Sequence, residues 1–225
     1  MAKFYIPTTS AEQWAQLLAE PTKQWRQGYS ARTLAYCWQE ADGFPAEVRT
    51  VLQACEPFQT IELLLGIPEH QVPLPGGSRP TQSDIWCLAK AGQELVSIAI
   101  EGKVAEPFGP TLGEWLAGGS PGKSTRLGFL QNQLSLSAEP AHEIRYQLLH
   151  RSASAIIEAK RFGARHAIML VHSFSPANDW FPDFDAFARM LGVSPKPNRV
   201  FPTGIRGGVD FYVGWVSGNQ QYLTR

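Results

Sequence analysis

Residues 84–103 read DIWCLAKAGQELVSIAIEGK, two apolar runs separated by a short polar turn. Folded as a hairpin about the Gly92–Gln93 turn, the runs pair so that Asp84 lands opposite Glu101. Lys103 stands two residues after Glu101, so a strand points both of these side chains to the same face. The stretch therefore brings two carboxylates and one ammonium group together. That arrangement suits a divalent metal ion and a phosphate better than it suits a protein core.

The composition limits what the rest of the chain can be. Its 225 residues suffice for one full core with a small helical annex. Twenty acidic residues balance twenty basic ones, so any phosphate partner has to be held by a local patch. No apolar stretch approaches the roughly 20 residues of a membrane span, and the N-terminus lacks the apolar core of a signal peptide. We therefore predict a cytoplasmic protein with no membrane partner.

The cysteines and histidines show no metal-binding pattern. Cys37, Cys55 and Cys87 are widely spaced in apolar runs, which predicts buried, reduced thiols rather than disulfides or zinc ligands. The five histidines lack spacings such as H-E-x-x-H. His172, near the end of an apolar run, is interpreted as a structural histidine in preference to a site residue.

Apolar spacing, caps and prolines divide the chain into elements. Before the hairpin, the patterns predict helices over 10–18, over 30–39 and from Pro45, a strand over 60–65 and a proline-rich loop over 67–82. After it, they predict two short helices within 104–140, a long helix over 142–162, a covered strand over 166–174, a helix over 179–191 and a strand over 209–216.

The order of these elements predicts the fold class. With 104–140 set aside as an insertion, the order from Pro45 is helix, three strands, helix, strand. This is typical of an α/β fold in which helices sandwich a mixed β-sheet. We predict a single domain over 1–225, made of a helical annex (1–44), a core (45–174) and a C-terminal helix and strand extension (175–225).

The acid that opens one strand and the Glu-x-Lys triplet on the next resemble the PD-(D/E)XK nuclease-like superfamily, which has a restriction-endonuclease-like αβββαβ core. Asp84 matches the first acid, with Ser83 where the superfamily name puts proline. Glu101 and Lys103 match the triplet. The resemblance covers about residues 45–174. It implies an α/β core with a metal site at the end of the hairpin.

The activity implied by this resemblance is metal-dependent cleavage of phosphodiester bonds in DNA or RNA. Asp84, Glu101 and the carbonyl of Gly102 would hold Mg²⁺ or Mn²⁺. Lys103 would orient the attacking water or stabilise charge on the phosphate. A further acid often comes from the first core helix of such proteins, and Glu47 is the candidate here.

Other residues are implied at the edge of the site. Gln147 and Arg151, one turn apart on the long helix, would line it, and Arg145 would add a second phosphate-binding cation. Residues 101–109, EGKVAEPFG, resemble the signature of a bacterial family within that superfamily, a likeness that carries no biochemical activity with it. Many nucleases of this class are dimers, so a homodimer is one alternative, although no oligomerisation signal is visible.

Three alternatives stay open. The Glu-x-Lys triplet is also common on surfaces, where Lys103 would form a salt bridge on a solvated strand face. A binding or regulatory protein that keeps the fold without turnover fits the zero net charge. Residues 117–124, AGGSPGKS, match a relaxed P-loop pattern, but a capping box at Thr111 and Glu114 indicates a helix where a P-loop needs a strand.

Overall fold

The computed structural model describes residues 8–225, and its framework is a six-stranded mixed β-sheet. The strands are β1 (Glu62–Val72), β2 (Thr81–Ala91), β3 (Glu94–Lys103), β4 (His166–Ser173), β5 (Arg199–Arg206) and β6 (Val209–Ser217). Their spatial order is β1-β2-β3-β4-β6-β5. Strand β4 is parallel to both β3 and β6, and the other neighbours are antiparallel. Every residue of β4 is buried, which confirms the prediction of a covered central strand.

Helices cover both faces of this sheet. They are α1 (Pro21–Gln24), α2 (Ser30–Gln39), α3 (Ala46–Gln53), α4 (Leu112–Leu116), α5 (Pro121–Gln133), α6 (Tyr146–Phe162) and α7 (Phe181–Met190). One apolar core includes side chains from α4, α5, α6 and α7, and the other includes side chains from α2 and α3. The predicted α/β class, with helices on both faces of a mixed sheet, is confirmed. Among the described residues, no helix has the length and apolar character needed to cross a bilayer.

The predicted hairpin is confirmed residue by residue. Ala91 pairs with Glu94 across a two-residue turn, and Ile85 pairs with Ile100 further along the ladder. Gly92 takes a positive φ of 59° in that turn, as glycine readily does. The next positions in the same register are 84 and 101, so the two acids face each other where the ladder ends.

The element order expected from Pro45 is also present. Helix α3 is followed by β1, β2 and β3, then by the inserted α4 and α5, and then by α6 and β4. Strand β6 lies within the predicted C-terminal extension, yet it pairs directly with β4. The extension therefore belongs to the same sheet as the core.

Two predictions of strand position are wrong, for one shared reason. A proline-rich loop was expected over 67–82. In the structure β1 extends to Val72 and β2 begins at Thr81, so the loop between them is shorter than predicted. Strand β5 was not predicted at all. Pro68 and Pro202 lie inside β1 and β5, which form the two edges of the sheet. An edge strand tolerates proline because the missing N–H can face solvent.

Some helix boundaries differ from the prediction as well. The segment expected as a helix over 10–18 is a 3₁₀ helix, Ala11–Leu17. Helix α5 is 13 residues long, not short. Helix α6 begins at Tyr146 rather than His142, because the backbone of Arg145 forms a β-bridge with Thr111 just before it.

Candidate active site

A pocket of about 650 Å³ lies between the end of the β2–β3 hairpin and the chain segment 18–31. Five residues predicted from the sequence line it together: Asp84, Glu101, Lys103, Gln147 and Arg151. The strands supply the first three, and α6 supplies the other two from the helical layer above β3. The structure therefore brings most of the predicted site into one cavity.

Glu101 is the most heavily bonded group in this pocket. Its Oε1 accepts hydrogen bonds from Lys103 Nζ at 2.8 Å and from Gln147 Nε2 at 2.7 Å. Its Oε2 accepts one from Arg151 Nε at 2.6 Å. Burial alone would raise the pKa of Glu101, but the charges of Lys103 and Arg151 bring that pKa below its ordinary value. Glu101 is thus a buried carboxylate held between two cations.

Asp84 lies beside this cluster, but its pKa is shifted in the opposite direction from that of Glu101. Its Oδ2 accepts a 2.7 Å hydrogen bond from the Gly102 N–H. Burial, followed by repulsion from Glu101, raises the pKa of Asp84 to about 7. The sequence prediction made the Gly102 carbonyl a metal ligand. The contact that the structure shows is the hydrogen bond from the Gly102 N–H to Asp84.

Gly102 is required at its position by close packing. A Cβ atom there would lie 3.1 Å from Leu34 Cδ2 and 3.3 Å from Asp84 Oδ2. Leu34 is buried and Asp84 is hydrogen-bonded to this backbone, so neither side chain yields freely. The missing side chain lets strand β3 approach both the annex and the acid.

Substituting Gly102→Ala is expected to lower the free energy of unfolding by about 1 kcal/mol, because the added methyl group overpacks this contact. Urea denaturation followed by circular dichroism measures the change. The control is Gly128→Ala in α5, where a Cβ atom meets nothing within 4 Å and alanine favours the helix. A Gly102→Ala protein as stable as the wild type would show that Leu34 and Asp84 move aside at no cost.

Glu69 is a further carboxylate of the pocket, beside Asp84, that the sequence did not reveal. The register that pairs Pro68 with Ile85 and His70 with Ser83 sets Glu69 opposite Asp84. Residues 69, 84 and 101 therefore form a row of acids across β1, β2 and β3. Had the prolines not led us to predict a loop here, this register would have identified Glu69.

The backbone and the electrostatics of Glu69 are both unusual. Glu69 has a positive φ of 52°, which is uncommon for a residue with a side chain. Gln82 Nε2 donates a 2.6 Å hydrogen bond to Glu69 Oε2. Burial and the nearby charge of Asp84 raise the pKa of Glu69 to about 8. Two of the three acids in the row therefore hold protons more tightly than they would in water.

Glu47, predicted as an acid of this site, does not line the pocket. It lies on α3, whose apolar residues join the core that contains Ile98 and Ile100. Helix α6, which contacts Glu101, covers the opposite face and joins the core that contains Ala99. The prediction is wrong because the order of elements does not say which face of the sheet a helix covers.

Glu47 instead belongs to a second polar cluster, formed with Cys37 and His172. Cys37 Sγ lies 3.6 Å and His172 Nε2 lies 3.3 Å from Glu47 Oε1. The donor atoms of the three residues all lie within 4.8 Å of one another, so the group could hold a metal ion. From the sequence, a buried, reduced thiol was favoured over a zinc ligand for Cys37, which is free and buried in the structure. The spacing of the three residues in the chain gave no signal of the cluster.

Burial and hydrogen bonding together set the protonation states in this cluster. Burial favours the neutral acid, yet hydrogen bonds from His172 and from backbone amides lower the pKa of Glu47 to about 2. Burial and the charge of Glu47 raise the pKa of the Cys37 thiol. Burial lowers the pKa of His172, although Glu47 opposes that shift. The cluster therefore consists of one carboxylate, one thiol and one neutral imidazole.

Two other predicted features lie outside the pocket. Arg145, expected to bind substrate, forms an ion pair with Asp183, with Nε 2.9 Å from Oδ2. The P-loop hypothesis for residues 117–124 is wrong, since α4 precedes them and Ser120 caps α5. The Lys123 ammonium donates to the Ala117 carbonyl. This lysine closes the loop between two helices.

Comparison with known proteins places the chain in a family. Residues 7–220 match the model of a domain of unknown function, DUF6946, and the chain belongs to that family. Neither the curated proteins nor the solved structures include a match. Family membership carries no activity or substrate, so function has to be inferred from the pocket itself.

Proposed function

We propose that this protein is a metal-dependent phosphodiesterase of the PD-(D/E)XK type that acts on nucleic acid. The observation that carries the proposal is the row of three acids, Glu69, Asp84 and Glu101, in one pocket with Lys103 and Arg151. Carboxylates on adjacent strands supply the oxygen ligands that Mg²⁺ and Mn²⁺ prefer. The two cations supply positive charge where a phosphate would lie.

The donor types in the pocket suit a divalent ion, but the ligand set that we assign differs from the predicted one of Asp84, Glu101 and the Gly102 carbonyl. The row of acids lies beside the cations Lys103 and Arg151, and burial together with repulsion among the acids raises the pKa values of Asp84 and Glu69. A divalent cation would take the place of the protons that these two acids retain. Glu101 is already bonded through both oxygens. We therefore assign Asp84 and Glu69 as the main ligands of Mg²⁺ or Mn²⁺, with Glu101 as the anchor of the two cations.

Each remaining residue has a role that its contacts support. When bound, the metal ion would polarise the phosphate and activate a water molecule. Lys103 presents an ammonium group already in an ion pair, which is suited to stabilise negative charge on the phosphate. Arg151 presents a planar guanidinium for the phosphate oxygens. Gln147 fixes the orientation of Glu101 and hence of both cations.

A second candidate function is favoured by the same contacts of Glu101. With both oxygens of Glu101 bonded to Lys103, Gln147 and Arg151, only Asp84 and Glu69 are left to hold an ion. Protons compete with the ion for these two acids, because their pKa values are raised to about 7 and about 8. The pocket would then be a binding site without turnover. In that case calorimetry would detect no binding of Mg²⁺ or Mn²⁺ to the protein.

Lys103→Met is expected to lower the rate of nucleic-acid cleavage by about 100-fold, because it removes one positive charge from the reacting phosphate. The assay uses labelled single-stranded and double-stranded DNA and RNA with Mg²⁺ or Mn²⁺. Lys123→Met is the matched control, since Lys123 is half-buried and lies outside the pocket. Equal cleavage by the wild type and Lys103→Met would reject the assigned role.

A further inference from the structure

We propose that Cys37, Glu47 and His172 form a separate zinc site, outside the candidate active-site pocket and on the opposite face of the sheet from helix α6. Three elements supply the ligands: α2, the first turn of α3 and the carboxyl end of β4. The backbone N–H of Asn219, after β6, also bonds to Glu47 at 3.2 Å. An ion here would connect the helical annex to the core, and Asn219 links the C-terminal segment to the ligand Glu47.

The distances within the cluster match a tetrahedral zinc ion. Zinc bonds of about 2.3 Å to sulfur and about 2.0 Å to nitrogen and oxygen give edges of about 3.5 Å for S···O and about 3.3 Å for N···O. The observed separations are 3.6 Å for Cys37 Sγ to Glu47 Oε1 and 3.3 Å for His172 Nε2 to the same oxygen. Two of the three distances between ligand atoms therefore already match those of a tetrahedral zinc complex.

The donor types also select the ion. Thiolate, imidazole and carboxylate together are a zinc ligand set, whereas Mg²⁺ and Ca²⁺ prefer oxygen alone. A cavity of about 390 Å³ borders Cys37 and Glu47 and is lined further by Asn219 and Tyr222. Water from this cavity can supply the fourth ligand. The proposed site is therefore a three-residue site with one open position.

The hydrogen bonds define the metal-free state. The Trp38 indole can only donate, and its Nε1 lies 3.1 Å from His172 Nδ1, so Nδ1 accepts. The proton of the neutral imidazole is then on Nε2, which donates to Glu47. The Cys37 thiol donates to the same carboxylate oxygen. Two protons thus occupy the positions that the ion would take.

Binding changes these protons in a defined way. The Cys37 thiol gives its proton to solvent as the sulfur bonds to the ion. The imidazole proton moves from Nε2 to Nδ1, which changes no net charge. The Trp38 N–H then faces an Nδ1–H and has to turn away. Zinc uptake is expected to release one proton per ion and to be opposed by Trp38.

The test is calorimetric titration of the full chain with Zn²⁺, after treatment with a chelator, in two buffers of different ionisation enthalpy. We expect one ion per chain, release of about one proton, and binding at least about 100-fold weaker in Cys37→Ser and Glu47→Gln. Trp38→Phe is expected to bind zinc roughly 3- to 10-fold more tightly, since it removes the opposing donor. Cys55→Ser is the control and should bind as the wild type does.

A spectroscopic measurement covers the case in which a variant fails to fold. Co²⁺ added to the wild-type protein should give thiolate-to-cobalt charge-transfer absorption, which requires a cysteine ligand. Asp84→Asn should leave this absorption unchanged, because Asp84 belongs to the other pocket. Absence of zinc binding, absence of the cobalt band, or equal zinc affinity in Cys37→Ser would each overturn the proposal. None of these outcomes depends on nuclease activity.

Discussion

Substituting Asp84→Asn is expected to lower metal-dependent cleavage by about 1000-fold or more, while the protein remains folded. Asp84 lies in the middle of the row of acids, between Glu69 and Glu101, so its loss leaves Glu69 as the only ligand we assign to Mg²⁺. The asparagine can still accept the hydrogen bond from Gly102, because its side-chain oxygen occupies the same position. Activity and metal affinity should therefore fall together without loss of structure.

The same substitution is expected to stabilise the protein above neutral pH. An acid whose pKa is raised to about 7 on folding binds its proton more tightly in the folded chain. As pH rises from about 4 to 7, ionisation of Asp84 therefore costs folding stability in the wild type. Asparagine removes that cost. Urea denaturation at pH 5 and pH 8 should show a larger gain in free energy of unfolding at pH 8.

The matched control is Asp185→Asn, which removes a carboxylate from an exposed ion pair with Arg189 on α7. This variant should retain full cleavage and show a stability change below about 0.5 kcal/mol. An Asp84→Asn protein that cleaves at the wild-type rate would remove the metal role. One that is inactive and also strongly destabilised would identify Asp84 as a structural residue.

The part of the site on the hairpin could be predicted because local rules decide it. A two-residue turn fixes the register, and the two-residue period of a strand fixes the face, so Asp84, Glu101 and Lys103 follow from the sequence alone. The positions of Gln147 and Arg151 needed one further step, the packing of α6 over β3. Both residues were predicted only through the resemblance to the nuclease-like superfamily, in which polar residues of the next core helix often line the site.

The remaining parts depend on the tertiary arrangement. Glu69 was missed because Pro68 argues against a strand, and only the sheet order shows that β1 is an edge. Glu47 was assigned to the wrong cluster because the sequence does not say which face of the sheet α3 covers. His172 does not line the pocket, and its partners, Trp38 and Glu47, lie 134 and 125 residues away in the chain.

Substituting Arg151→Met is expected to lower the free energy of unfolding by about 3 kcal/mol. Arg151 is buried and donates to Glu101 at 2.6 Å and to Thr81 Oγ1 at 3.0 Å. Methionine fills a similar volume but leaves Glu101 with one cation, Lys103. The carboxylate has already lost its hydration, so it cannot recover the missing interaction from water. Urea denaturation at pH 7 measures the loss.

Arg145→Met is the control, because Arg145 forms its ion pair with Asp183 in a more exposed setting. Its removal should cost less than about 1 kcal/mol. The double substitution Glu101→Gln with Arg151→Met should be less damaging than the sum of the single changes, since it removes both charges together. A coupling energy of about 2 kcal/mol is expected.

The outcome also decides what Arg151 does in the pocket. If Arg151→Met costs less than about 1 kcal/mol, then Lys103 and Gln147 satisfy Glu101 without it. Arg151 would then be free to turn toward a phosphate. If the cost is near 3 kcal/mol, Arg151 is needed to hold Glu101 in the folded protein. Substrate would then have to compete with that bond, and nucleic-acid binding should weaken the coupling between Glu101 and Arg151.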